Sequence, residues 1–85
     1  MTVKVVGWSG AKTEQAVLNA EAALSEHDPR GRVECINDID AMLAMGVVQK
    51  PAVIINGKLK IAGRVPSVHE IGLWIKQEKI RDLAA

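Results

Sequence analysis

The residues able to do chemistry in this 85-residue chain are few: one cysteine, Cys35, two histidines, His27 and His69, and a glycine-rich turn, Gly7-Trp8-Ser9-Gly10-Ala11-Lys12-Thr13. The turn lies between a strand-like run and a helix-like run, where open α/β proteins bind ligands at the ends of their strands. Its glycines and Lys12-Thr13 invite comparison with the phosphate-binding pattern G-x-x-x-x-G-K-[ST]. The spacing fails, because Gly7 and Gly10 are separated by two residues and Ala11 precedes Lys12. Nucleotide hydrolysis would also need metal-binding and water-positioning groups, for which no pattern is present. A general anion site remains open: the amides of Gly10, Ala11 and Lys12 would start a helix, and Lys12 could reach back toward a bound anion.

Cys35 lies toward the end of a strand-like segment rather than at a helix N-terminus, where thiols are activated. Free cysteines are among the most buried residues, so its first reading is packing. The functional alternative is a mixed disulfide or an intermolecular bridge. One cysteine allows neither an intramolecular disulfide nor dithiol exchange within one chain. His69 sits in the first turn of a helix-like segment with no Cys/His cluster at ligand spacing, so no metal and no cofactor are expected. Trp8 reads as a core residue packed over the last helix, or alternatively as an exposed anchor for a partner. Trp74 falls on an apolar helical spacing and reads as core.

The elements that must hold these residues follow from periodicity. Thr2–Val6 has strand composition and Gly7 ends it. From Gly10 to about Glu26, Val17, Leu18, Ala20, Ala23 and Leu24 recur at helical spacing. His27–Gly31 is a breaker cluster, and Arg32–Ile36 alternates as a half-buried strand. Asn37 or Asp38 can cap a short helix marked by Ile39, Met42, Leu43 and Val47, before Gly46 and Pro51 interrupt it. Pro51–Ile55 is an apolar strand, Asn56-Gly57 the preferred type I′ hairpin dipeptide, and Lys58–Ala62 an alternating strand. Ser67 and Glu70 form a capping box for a final helix carrying Val68, Ile71, Leu73, Trp74, Ile75 and Ile80. The order βαβαββα predicts one α/β domain, with a four-stranded mixed sheet and helices on both faces.

Eleven basic and ten acidic residues give a net charge of +1 without a like-charged block, and the aromatics are Trp8 and Trp74 alone. A nucleic-acid partner is therefore not expected. No run is long enough to cross a bilayer or to serve as a secretory signal, so a cytoplasmic location is expected.

Three segments carry a resemblance: "VVGWSGAK", "QKPAVIINGK" and "AGRVPSVHEIGLWI". Together they resemble the small, glutaredoxin-sized thioredoxin-like family labelled redox-active disulfide protein 2. Its members read G-T-G-C-x-x-C in the first segment and G-V-x-x-x-P-A-L-V-I-(D/N)-G-K-…-A-G-R-x-P-S in the others. Gly46-Val47, Pro51-Ala52, Asn56-Gly57-Lys58, Ala62-Gly63-Arg64 and Pro66-Ser67 fall in register. The likeness covers nearly the whole chain and implies a thioredoxin-like fold. It also implies that the two redox cysteines fall on Gly10 and Thr13, where the motif has become Gly-Ala-Lys-Thr.

Gly10 has no side chain, and a threonine hydroxyl without a general base is no substitute for a thiolate. The resemblance further implies a cis bond before Pro51. It makes the Lys50 backbone an edge for an extended peptide or glutathione, a form of strand addition that needs no thiol. Alternatively, Pro51 simply starts a strand, where proline is tolerated. Arg64 either lines the same rim or is a solvated cation. The expected binding surface is thus Trp8, Ser9, Gly10, Ala11, Lys12, Lys50, Pro51 and Arg64. Its expected partners are an extended peptide or partner protein, or a small anion or glutathione. The expected function is a non-catalytic binding or accessory module using this surface, and the alternative is thiol-disulfide redox chemistry, through Cys35 as a lone thiol or by binding glutathione or a thiol partner.

Overall fold

The computed structural model describes residues 1–84. Its elements are β1 (Thr2–Val6), α1 (Ala11–His27), β2 (Arg32–Ile36), α2 (Ile39–Ala44), β3 (Ala52–Ile55), β4 (Lys58–Ala62) and α3 (Val68–Ala84). The strands form one sheet in the order β2-β1-β3-β4. β2 is parallel to β1, and β3 is antiparallel to both β1 and β4, so the sheet is mixed as expected.

Strand alternation divides the core between two faces. Val3, Val5, Val53 and Ile55 point to one side, where they pack with Ala16, Ala20, Ala23 and Leu24 of α1 and Ile71 and Ile75 of α3. Val6, Ala52 and Ile54 point to the other and meet Met42 and Val47. β3 is thus apolar on both faces, which is why it reads as an unbroken apolar run, whereas β1 carries Thr2 and Lys4 beside Val6 on its second face. The buried alanines of α1 recur at helical spacing and present little bulk, allowing α1 to lie close to its neighbours. Gly72 does the same for α3: a Cβ there would stand 2.7 Å from Nε2 of His27.

Local chemistry fixes the ends of the elements. Asn56 and Gly57 have φ of 52° and 77°, both positive as a type I′ turn demands. The Ser67–Glu70 capping box is formed: the Ser67 amide donates to Glu70 Oε1 at 3.0 Å and the Glu70 amide to Ser67 Oγ at 3.1 Å. Asp38 caps α2 by accepting from the Asp40 amide. The helix stops in a Schellman arrangement: Gly46 has φ 73°, its amide donates to the Leu43 carbonyl, and the Val47 amide donates to that of Met42. This stop buries Val47 against Met42 and turns the chain toward Lys50-Pro51.

Several sequence expectations need correction. α1 begins at Ala11, with Gly10 as its N-cap, and β3 begins at Ala52, after Pro51. Leu18, Ile39, Leu43, Leu73 and Ile80 lie on exposed surface, because the sheet is too narrow to cover more than one stripe of each helix. β4 does not alternate cleanly. A bulge opposite Val53/Ile54 leaves Lys60 without a cross-strand partner and brings Ile61 opposite Val53, while Lys58 and Lys60, two residues apart, both reach toward α3.

They converge there on Glu78, which is 1% exposed. Lys60 Nζ lies 2.8 Å from Oε2 and Lys58 Nζ 3.2 Å from Oε1, with Arg81 at 3.7 Å. The Lys60 hydrogen bond, helped by Lys58, holds the Glu78 carboxyl down at about 2 against an ordinary 4.5, although burial pushes the other way. This paired carboxylate locks the hairpin to α3.

Candidate functional site

The glycine-rich turn is the link from β1 to α1, and two contacts set its shape. The buried Gly7 donates its amide to the Ile36 carbonyl at 2.9 Å, extending the β1–β2 ladder by one residue. Thr13, in the first turn of α1, is 8% exposed and folds under Gly7: a Cβ on Gly7 would lie 2.5 Å from Thr13 Oγ1. Trp8, Ser9, Gly10, Ala11 and Lys12 are left exposed along the rim. Gly10 extends its backbone, and its carbonyl accepts the Glu14 amide at 3.0 Å to open the helix. A side chain placed on Gly10 would meet nothing within 4 Å.

Trp8 is 48% exposed, which corrects the reading of it as core. α3 packs its buried face against α1 and the sheet, and Trp8 belongs to neither core cluster. The indole is partnered instead by Lys50, whose Nζ lies 4.8 Å from the ring centroid, a cation–π contact. That contact brings the two expected halves of the surface together. The Lys50–Pro51 peptide is cis. Pro51 is buried, and its carbonyl accepts the Gly63 amide at 3.0 Å, while Gly63 at φ 96° approaches the Gln49 side chain. Val48, two residues before Lys50, is 83% exposed.

Arg64 does not join this surface through its side chain. Its guanidinium forms a two-pronged pair with the Glu70 carboxylate, with Nη1 2.9 Å from Oε1. The Arg64 hydrogen bond, followed by the Ser67 amide, holds Glu70 at about 2, and Glu70 in turn raises Arg64. Arg64 is therefore neither a free rim cation nor merely solvated, but part of the α3 cap.

Cys35 is exposed, correcting its assignment to packing. β2 is the outermost strand, so α1 overhangs it without closing over it. A groove of ≈ 380 Å³ between them is lined by Gly7, Ser9, Thr13, Val17, Leu18 and Cys35, with Glu14 and Asn37 at its margin. A second groove, ≈ 490 Å³, continues past Val17 and Cys35 toward Glu21, Leu24 and Arg32. The thiol thus stands where the two meet, on the side of the turn away from Lys50. His69 and His27 lie in a depression of their own with Glu26 and Lys76. Among the described residues there is no cluster of three His, Cys, Asp or Glu able to hold a metal.

Sequence reasoning missed the roles of Glu78 and Thr13. For Glu78 the signal was present, since Ile71, Ile75 and Glu78 follow one helical stripe and place the carboxylate on its buried side. For Thr13 there was none, because only the fold brings it against Gly7.

A parallel β1–α1–β2 unit followed by an antiparallel hairpin and a last helix, with a proline-entered strand beside the first turn, defines a thioredoxin-like domain. The comparisons agree. Residues 1–76 match the model of the Thioredoxin domain family. The chain is 32% identical over 71 residues to a protein named thioredoxin from Methanothermobacter thermautotrophicus, an overlap covering 84% of this chain and 92% of that protein. The chain belongs to the thioredoxin family, and its one cysteine is Cys35.

Proposed function

We propose that this protein is a binding or accessory module of the thioredoxin family that holds partners at the surface where its relatives do redox chemistry. The observation that carries the reading is the exposed Trp8–Lys12 turn, clamped by Lys50, in a domain without a second cysteine. The family resemblance puts the lost cysteines at Gly10 and Thr13. The occupant is an extended peptide from a partner protein, or glutathione. Trp8 supplies a flat apolar contact, the Lys50 backbone supplies strand-like hydrogen bonding, and the helix N-terminus with Lys12 favours a carboxylate. The setting is the cytoplasm; among the described residues no helix is long and apolar enough to cross a membrane.

Isotope-edited NMR tests this. Titrated glutathione, or a short acetylated Val/Thr peptide with a free C-terminus, should shift the Trp8 indole and the Lys12 and Lys50 amides, and Trp8→Ala should weaken the response. The protein should also reduce insulin disulfides no faster than dithiothreitol alone. Turnover clearly above that blank and abolished by Cys35→Ser would overturn the non-catalytic reading.

One observation favours a second reading. Cys35 is exposed and shares a groove with Ser9 and Thr13. As a lone thiol it would act by exchange: its thiolate attacks one sulfur of a partner disulfide, a new S–S bond forms, and the other sulfur leaves as a thiolate. Alkylation with iodoacetamide discriminates, since a thiol no more reactive than free cysteine across the pH range speaks against this role.

A further inference from the structure

The edge of the sheet formed by β2 carries a feature that the binding turn does not explain. Arg32 donates its amide to the Met1 carbonyl, and Ile36 accepts the Gly7 amide, so these residues turn their backbone inward to β1. By the two-residue repeat, Glu34 does the same, while Val33 and Cys35 turn theirs outward. β2 is an outer strand, and among the described residues no strand lies beyond it. Natural sheets guard such edges with charge, most simply with charge of one sign that repels a copy. Here the guard is Arg32 and Glu34, both exposed, on the same face and of opposite sign. Among the described residues neither is engaged in an ion pair.

We propose that this edge is a self-recognition surface, and that its occupant is β2 of a second copy, paired antiparallel about a two-fold axis at Val33. In that register Val33 meets Val33 of the second copy as a hydrogen-bonded pair, using the outward amide and carbonyl of each. Arg32 then stands directly opposite Glu34 of the second copy, and Glu34 opposite Arg32, in the closely spaced pairs where side chains interact most. One short sequence thus satisfies itself twice, as an isologous interface requires. Cys35 falls opposite Gly31 of the second copy, where no side chain obstructs it. Moving the axis to Glu34 would set two glutamates face to face, so charge selects the Val33 register. The pairing would join two four-stranded sheets into one of eight and leave both Trp8 turns accessible. A five-residue edge is short, and the association is correspondingly weak and reversible.

Sedimentation equilibrium on Cys35→Ser protein, which removes disulfide-linked dimers, tests the proposal at low salt from about 10 μM to about 1 mM. The apparent mass should climb from 9.2 kDa toward twice that value. Arg32→Glu, which turns both cross-strand pairs repulsive, should weaken association by about ten-fold or more. The swap Arg32→Glu with Glu34→Arg keeps the pairs complementary and should restore association to within about three-fold of the parent. All three proteins should show the same far-ultraviolet circular dichroism, since both positions are exposed. A monomer at every concentration, association indifferent to Arg32→Glu, or a swap that fails to restore it would each overturn the proposal.

Discussion

Replacing Gly7 with alanine sets a methyl carbon 2.5 Å from Thr13 Oγ1, about 0.9 Å inside ordinary contact at 3.4 Å. Gly7 is pinned by its amide bond to the Ile36 carbonyl, and Thr13 is fixed in the first turn of α1, so neither backbone can retreat freely. Overpacking of this kind costs about 1–3 kcal/mol. The smaller conformational freedom of alanine in the unfolded chain returns about 0.4–1 kcal/mol of that. The net expectation is a loss of about 1.5 kcal/mol, or a fall in Tm of about 10 °C for a domain of this size. Thr13→Ala alone should cost about 1 kcal/mol for its lost methyl contacts, partly offset by better helix propensity.

The informative variant is the double one. With Thr13→Ala in place, the nearest Thr13 atom left to the new methyl is Cβ at 3.5 Å, an ordinary contact. Urea unfolding followed by tryptophan fluorescence should therefore show the pair destabilised by less than the sum of the singles. The expected coupling is about 1 kcal/mol or more, at unchanged m-value. Strict additivity, or a Gly7→Ala protein as stable as its parent, would refute the packing of Thr13 under Gly7.

Three further outcomes are expected. Glu70 and Glu78 both titrate near 2 in the folded protein against an ordinary 4.5, so the stability they lend is complete above about pH 4.5 and drains away as pH falls toward about 2. Thermal melts between those values should show a shallower decline for Glu70→Gln/Glu78→Gln than for the parent, and equal slopes would contradict the pairing. Gly72→Ala should lower Tm by several degrees, since its methyl would enter the His27 ring, and His27→Ala should relieve most of that loss. Gly10→Cys/Thr13→Cys should fold with a loss of about 1–3 kcal/mol, because a side chain at Gly10 meets no atom but is strained at its φ of 158°, while Thr13→Cys replaces a buried side chain of similar size; the variant should gain insulin-disulfide reduction above the dithiothreitol blank.

The fold was largely readable from the sequence because its elements are set by local chemistry. Asn56-Gly57, the Ser67–Glu70 box, Gly46 and the apolar runs at Val3–Val6 and Val53–Ile55 each favour one conformation without help from distant residues. What the sequence concealed depends on who covers whom. Trp8 and Cys35 are residue types common in cores, yet among the described residues no strand flanks the outer side of β2, and both stay exposed. Leu73 and Ile80 follow helical spacing but lie beside the buried stripe rather than on it. Arg64 could not be assigned by type, because its partner Glu70 was already engaged in the capping box and only the fold shows that one carboxylate serves both.

The exposed residues themselves argue for a surface rather than a vestige. A turn that had merely lost its cysteines would have no reason to keep a half-exposed indole stacked by a lysine from a different loop, an arrangement that orders two side chains at entropic cost. Nor does stability call for it, since the core lies elsewhere and its ion pairs are at the far end of the sheet and on the α3 cap. Trp8→Ala should accordingly leave the free energy of urea unfolding within about 0.5 kcal/mol of the parent, as surface changes do, while weakening whatever the turn binds. A tryptophan whose removal unfolds the domain would return it to the core and take the binding proposal with it.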